Sequence, residues 1–435
     1  MGLIRDLRGV TPLLFAILLL GLGNGLQGAL VGVRATAEAF SVSSTGIVMS
    51  GFSAGLLLSS FVTPRVVGRV GHIRVFAAFA SIISTAILLI PLWVEPAWWF
   101  AMRFVTGLGT AGLYIVCESW LNSASTNQNR GKFLSIYMII MYGAMGGGPF
   151  LLNIADASGF SRFIVASALM SLALVPLSLA RGEAPAIERP RPVGLMEIYR
   201  GSPLAAVGTC ANGLGQGAFF SMAAVYAVMQ GLSLAQVSLL LALPPLGVII
   251  SQYPIGLLSD RYDRRRLLTV LAFLAAAIAA LTIPLAGASP ALLIGLFAVF
   301  GAIALPIYAL AVAHANDHLD PDQMVGASGK LVLLYGVGSI AGPFLVGLAM
   351  QSLGPPGFLL YMMAVYGGLG LFAVYRMSRR APPVQTEGVA MPQMAPTTTL
   401  VGATAIAEEL TPSPKEENAE YGEPNVNASS PQSDS

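Results

Sequence analysis

Glu118 is the only acidic residue inside any of the long apolar stretches of this 435-residue chain. A lone carboxylate in hydrocarbon has to pair, take up a proton or face water, because an isolated buried charge is costly. It therefore reads either as a proton carrier or as one arm of a fixed salt bridge or cap near its helix end. Arg103 precedes it in the same stretch. At 100° and 1.5 Å per residue, Arg103, Tyr114 and Glu118 fall within about 60° of one another, with Arg103 roughly 9 Å from the middle of the stretch. Arg103 either acts at that depth or snorkels to the nearer interface. The same arithmetic puts Asn24, Gln27 and Arg34 within about 80° on a second stretch, and Asn212, Gln216 and Tyr226 within about 80° on a third. Tyr308 serves a fourth. Such amides either bond from helix to helix or line a polar path.

The elements that carry these residues follow from composition. Hydrophobic residues make up 55% of the chain and charged residues 10%, where a soluble domain carries about 25% charged. Twelve stretches between residues 11 and 377 have the length, about 20 residues, that a helix needs to cross a bilayer. The four above are 11–33, 97–122, 203–229 and 290–313. The fold class is thus an all-α membrane protein with twelve transmembrane helices in a lipid bilayer. A formal net charge of +2 gives no basic face for nucleic acid. Cys117 and Cys210 lie in apolar runs and offer neither a disulfide framework nor a metal site. His314 and His318 stand at i,i+4 beside Asp317, Asp320 and Asp322 and are expected on a solvated loop rather than at a metal. No phosphate-binding GxxxxGK[ST] loop supports ATP drive. No nucleophile, base and orienting acid are grouped as an enzyme needs, and no cofactor is implied.

Lysines and arginines set the orientation. With an even number of spans both termini share one side, which collects twenty basic residues, Arg69, Arg74 and Arg261 among them, against Arg34 and Arg162 opposite. The positive-inside rule then puts both termini in the cytoplasm. Four regions follow: an N-terminal six-helix bundle (1–180), a Pro- and charge-rich linker (181–202), a C-terminal six-helix bundle (203–380) and an acidic tail (381–435) too poor in apolar residues to pack. The first 380 residues carry about +9 and the tail about −7.

The halves repeat. Asn24-Gly25-Leu26-Gln27-Gly28-Ala29 answers Asn212-Gly213-Leu214-Gly215-Gln216-Gly217-Ala218 at a shift of 188 to 189 residues. Gly112-Leu113-Tyr114 answers Pro306-Ile307-Tyr308, and Gly148-Pro149-Phe150-Leu151 answers Gly342-Pro343-Phe344-Leu345, both at 194. Matches in order at a nearly constant offset imply duplication. Parallel repeats about an axis along the membrane normal are one architecture for alternating access.

Three motifs carry a resemblance to a known family. Gly256-Leu257-Leu258-Ser259-Asp260-Arg261-Tyr262-Asp263-Arg264-Arg265-Arg266 resembles the GxxxDRxGRR signature of the major facilitator superfamily, with Asp263 where the pattern has Gly. The matching loop of the first half keeps Arg69, Gly71 and Arg74 but has Gly68 in the Asp position. Arg103 to Gly109 is similar to the family's RxxxGxG motif of helix 4, whose arginine is implicated in proton coupling. Glu118-Ser119-Trp120-Leu121-Asn122 resembles a bacterial branch of the family. The resemblance implies two six-helix bundles, with helices 1, 4, 7 and 10 lining a central cavity. It also implies an asymmetric charge latch in which Asp260 meets the start of helix 11 near Gly329 and Arg261 lies beside it. Arg264 to Arg266 otherwise only obey the positive-inside rule. The Gly-Pro pairs are similar to an antiporter element and lean towards export.

The expectation is a monomeric secondary transporter of the plasma membrane. A small polar or amphipathic solute contacts the amide and Tyr stripes, and Glu118 and Arg103 couple its movement to protons. The rivals are a transporter-like receptor or assembly factor that moves nothing, and an uncoupled facilitator.

Overall fold

The computed structural model describes residues 2–123, 125, 130–154, 160–178, 195–317 and 324–379. The linker as far as residue 194, the tail, His318, Asp320 and Asp322 lie outside the described residues. So do Arg181, Arg189, Arg191, Arg380 and Lys415 of the basic-residue tally. Twelve long segments follow in order: α1 (Gly2–Ala37), α2 (Val42–Val70), α3 (His72–Leu89), α4 (Pro96–Ser123), α5 (Arg130–Gly147) and α6 (Ser161–Leu172). Then come α7 (Pro203–Met229), α8 (Leu234–Arg261), α9 (Arg264–Leu285), α10 (Pro290–Ala304), α11 (Met324–Leu353) and α12 (Pro356–Arg379).

Among the described residues eleven helical stretches are long and apolar enough to cross a membrane. The twelfth is α7, a helix of 27 residues whose glycines and amides dilute its apolar character. It can afford them because most of its length is buried against α1, α10, α11 and α12, away from lipid.

Local chemistry sets the turns. Ser41, Ser233, Asp263 and Ser289 each accept a backbone N–H at a helix start, which satisfies donors that a helix terminus leaves open. Between α2 and α3 the chain turns at Gly71 with φ +88°, a conformation that costs a side-chain-bearing residue dearly. The equivalent turn of the second half uses Asp263 as a cap instead, at φ −54°. That is why this chain departs from the Gly of the family pattern there. In α10 the helix stops at Ala304 and restarts as Ile307–Asn316 after Pro306, since proline supplies no backbone donor.

Glycines let the backbones within each half touch. A Cβ on Gly148 would strike the carbonyl of Leu22 and the amide of Leu26, and one on Gly342 would strike the carbonyl of Leu214 and the amide of Ala218. Gly21 and Gly25 of α1 meet α5 as Gly213 and Gly217 of α7 meet α11. The twofold kinship is therefore visible in matched contacts, and it corrects one alignment. The shift between α1 and α7 is 192, one helical turn from the 188 to 189 suggested by residue identity. Glycine recurs every fourth residue there, so the identities slide by a turn while the contacts do not.

Across the halves, packing concentrates at one end. On α2 and α11, Gly46 lies against the carbonyl of Pro343 and the Cα of Gly347, Ser53 Oγ and Ser339 Oγ share a 2.9 Å hydrogen bond, and Val42 N–H donates to Gln351 Oε1 at 3.2 Å. Beyond α5, Asn153 Nδ2 donates to Ser238 Oγ on α8 at 2.9 Å, and Ser238 Oγ donates to the Pro149 carbonyl at 2.8 Å. Gly32 of α1 touches Ala224 and Val225 of α7. These contacts occupy the middle and the ends of their helices away from both termini, so the halves are sealed on the side opposite the termini.

A branched side chain at Gly46 should prevent that seal. In a background without Cys117 and Cys210, Gly46→Val is expected to raise labelling of a cysteine placed at Ser339 by a membrane-impermeant thiol reagent several-fold. Unchanged labelling would show that the seam tolerates the bulk.

Candidate functional site

Glu118 lies near the terminus-side end of α4 and is 1% exposed. Tyr137 on α5 donates its hydroxyl to Glu118 Oε1 at 2.7 Å. Tyr114 and Cys117, both buried, share this part of α4. One residue along α4, Ser119 Oγ and His72 Nε2 of α3 are 3.0 Å apart. Glu118 and Tyr137 thus form a carboxyl–phenol pair between α4 and α5, and Ser119 and His72 a separate hydrogen bond between α4 and α3. Tyr137 and His72 carried no sequence signal beyond their type.

Arg103 is 3% exposed, and its guanidinium carbon stands 4.4 Å over the Phe52 ring of α2. It has not snorkelled. Nor does it reach Glu118, because 15 residues of helix separate them by about 22 Å. Gln27 is fully buried on α1. Neither amide atom of Gln27, nor Nε and Nη1 of Arg103, finds a hydrogen-bond partner among the described residues. Asn24 is half-buried one turn earlier. The glycine stripe of α1 meets α5 at Gly21 and Gly25 and α7 at Gly32, while at Gly28 a Cβ would meet nothing within 4 Å. That gap marks open space at mid-depth. Arg34 is turned to Glu38, one helical turn on, in an ion pair at the sealed end.

The amides of α7 have a different task. Asn212 Nδ2 donates to the Ala304 carbonyl at 3.2 Å and Gln216 Nε2 to the Leu305 carbonyl at 3.0 Å. These are carbonyls at the break in α10, where a helix end leaves acceptors open. Tyr335 of α11 in turn donates to Gln216 Oε1 at 3.1 Å and packs edge-on against Tyr308, ring centroids 5.2 Å apart. Tyr308 therefore joins this group. Tyr226 does not: its ring stacks on Phe297 and Phe358 inside the C-terminal half, and its hydroxyl accepts from Gln230 at 3.1 Å.

At the α8–α9 turn the partners differ from those expected. Asp260, 60% exposed at its side chain, is 3.7 Å from Arg264 of its own turn, and among the described residues no hydrogen bond or ion pair joins it to the start of α11. The stronger tie is Arg264 to Asp317 at 2.5 Å, with a further hydrogen bond to the Ala313 carbonyl at 2.9 Å. Arg264 thus clamps the end of Ile307–Asn316, a cation at a helix C-terminus. Arg265 pairs with Asp263 at 3.0 Å. Burial pushes the Asp263 carboxyl up, but hydrogen bonds from Arg265 and the nearby charges of Arg265 and His314 outweigh it and hold Asp263 below the usual carboxylate range. Arg264 and Arg265 therefore do more than add positive charge to a loop. Arg69, Arg74 and Arg261 are exposed, and Gly256 has open space around it. His314 is buried, 3% exposed, on the helical continuation of α10 rather than on a solvated loop, because that helix runs three residues past the expected span.

Comparison with known proteins bears on the whole chain. The family model described as Major Facilitator Superfamily matches residues 13–233 and 205–411. The chain is 27% identical over 377 residues to the uncharacterized MFS-type transporter YcaD of Escherichia coli O6:K15:H31 (strain 536 / UPEC), covering 86% of this chain and 97% of that one. In fold it is similar to the crystal structure of the nucleoside transporter NupG, with a TM-score of 0.71 and 12% identity, covering 85% of this chain and 98% of that one. It is also similar to a bacterial homolog of the human lysosomal transporter Spinster in an inward-facing, occupied conformation, with a TM-score of 0.63 and 15% identity, covering 85% and 97%.

Removing the amide at Asn212 should leave the Ala304 carbonyl open in a dry site. Asn212→Ala is expected to destabilise the purified protein by about 1–3 kcal/mol, read as a lower thermal midpoint. A change within error would mean that the break is satisfied in another way. At the turn, Asp317→Asn should cost up to about 1 kcal/mol and Asp260→Asn less, as their exposures dictate; the reverse order in the same assay would overturn the assignment of the main clamp.

Proposed function

The chain belongs to the major facilitator superfamily and is a multi-pass membrane transporter, and on that premise we propose that it moves a small organic solute across the plasma membrane by proton-coupled alternating access. The supporting observation is the seam between the halves. Within each half the helices lock through backbone contacts, whereas between halves the hydrogen bonds and glycine contacts gather towards one side. A joint of that kind can open there while its two bodies stay intact.

With both termini cytoplasmic, as the arginine distribution argues, the sealed side faces outward and the solute enters or leaves from the cytoplasm in this form. The halves are residues 1–180 and 203–380, and the transporter works as a monomer. The Gly-Pro pairs in α5 and α11 favour export. Glu118 takes and releases the proton. Its place beside Tyr137 near the cytoplasmic end supports this, because a phenol can hydrogen-bond to the carboxyl in both protonation states. Asn24, on the half-buried side of α1 near the gap at Gly28, contacts solute, and Tyr308 with Tyr335 forms the opposite wall.

Coupling is testable without knowing the solute. In the background without Cys117 and Cys210, labelling of a cysteine at Ser339, taken relative to that of a fully exposed cysteine at each pH, should depend on pH and lose that dependence in Glu118→Gln. A pH profile that survives the substitution would remove Glu118 from coupling. Flux of a panel of solutes in vesicles then separates the rivals: a receptor moves none, and a facilitator ignores the pH gradient.

A further inference from the structure

The register shifts between the halves identify what stands opposite each residue. Gln27 of α1 corresponds to Phe219 at a shift of 192, while Arg103 and Thr106 of α4 correspond to Phe297 and Phe300 at 194. In the C-terminal half Phe219 packs directly on both, with ring centroids 5.8 and 5.7 Å apart. The twofold relation therefore sets Gln27 beside Arg103 and Thr106, in keeping with the packing of α1 on α4. One half fills this place with an aromatic cluster. The other fills it with a guanidinium and a carboxamide, both at least 97% buried.

The polar pair is incomplete. The Thr106 hydroxyl is turned to the Arg103 carbonyl at 2.9 Å, so it does not serve the guanidinium. The cation has the Phe52 face on one side, but a ring face supplies no negative charge. Nε and Nη1 of Arg103 and both amide atoms of Gln27 have no hydrogen-bond partner among the described residues. Glu118 is about 22 Å away along the same helix, and Glu38 is engaged with Arg34. A desolvated cation without a counter-charge is the costliest arrangement a membrane interior can hold.

We infer that Arg103 and Gln27 form a binding site for a small anion inside the N-terminal half, the guanidinium supplying the charge and the Gln27 amide a second donor. The ligand is either an inorganic anion such as chloride or the carboxylate of an organic solute. The site rests on the packing alone and does not depend on proton coupling.

The test is the thermal midpoint of the purified protein, measured without any gradient in a zwitterionic buffer of minimal salt and in the same buffer with sodium chloride, sodium benzoate or the neutral analogue benzamide. A ligand that binds only the folded form raises the midpoint. Chloride, benzoate or both should stabilise the native protein relative to the buffer alone, and benzamide should not. Stabilisation by chloride alone identifies an inorganic anion as the ligand; stabilisation by benzoate alone identifies a carboxylate. Arg103→Gln should abolish the response and, in the buffer alone, melt higher than the native protein because the uncompensated charge is gone. Gln27→Leu, which keeps the charge, should weaken the anion response roughly tenfold. Should Arg103→Gln fail to fold, the native protein and Gln27→Leu still decide the matter. Indifference of the native midpoint to chloride and benzoate, an equal response to benzamide, or an undiminished response in either variant overturns the site. Because Glu118→Gln retains Arg103 and Gln27, it should keep the anion response, so failure of proton coupling and failure of this site give different results.

Discussion

A carbonyl left open in hydrocarbon costs several kcal/mol, and the centre of this molecule is arranged around two of them. Pro306 ends α10 early, and the carbonyls of Ala304 and Leu305 lose their helical partners. Asn212 and Gln216 answer them from α7, and Tyr335 holds Gln216 in place. This requirement explains why α7 is the least apolar span and why it must be buried. It also explains why α11 packs on it so closely that Gly213, Gly217, Gly338 and Gly342 leave no room for a Cβ. Remove the break in α10, and α7 would have no reason to carry two amides through a bilayer.

The halves share a frame and differ in filling. The frame is the glycine register, in which the Gly148 and Gly342 contacts repeat almost residue for residue. The filling diverges wherever one half has work the other lacks. The helix-2-to-3 turn uses Gly71 in a left-handed conformation, whereas the helix-8-to-9 turn uses Asp263 as a cap held by Arg265. Phe219, Phe297 and Phe300 stack where Gln27, Arg103 and Thr106 stand opposite. The C-terminal half thereby gains cohesion, while the N-terminal half keeps a carboxyl group, Glu118, and a guanidinium, Arg103, well inside its spans. Such division is open to a duplicated chain, since each copy needs only the shared frame to fold.

The sequence revealed the frame readily because its signals are long and periodic. Twenty-residue apolar runs and the repeated glycine and Gly-Pro positions recur along much of the chain. The sites were less legible because each depends on one side chain's direction. Asn212 and Gln216 share a stripe with Tyr226, yet the amides turn to α10 and the phenol turns into the aromatic cluster, a distinction that 100° per residue cannot make. Arg34 matched Gln27 by angle but had Glu38 one turn away. Asp317, the chief partner of Arg264, is 53 residues distant in sequence and had no motif to announce it. Ser53 and Ser339, which join the halves, were invisible for the same reason: nothing local distinguishes a serine that crosses a seam from one that bonds back to its own helix.

That seam has an energy suited to movement. Hydrogen bonds between membrane helices contribute about 0.6 kcal/mol on average and up to roughly 2 kcal/mol, so those joining the halves amount to a few kcal/mol together. Glycine contacts add dispersion but no interlocking side chains that would have to unthread. A ligand that binds one form more tightly than the other by a similar amount can shift such an equilibrium. In the proposed transport cycle, opening falls at the surface between halves, where the same small residues permit closure. Ser53 and Ser339 can each bond instead to a carbonyl one turn back in its own helix, which lowers the cost of parting them.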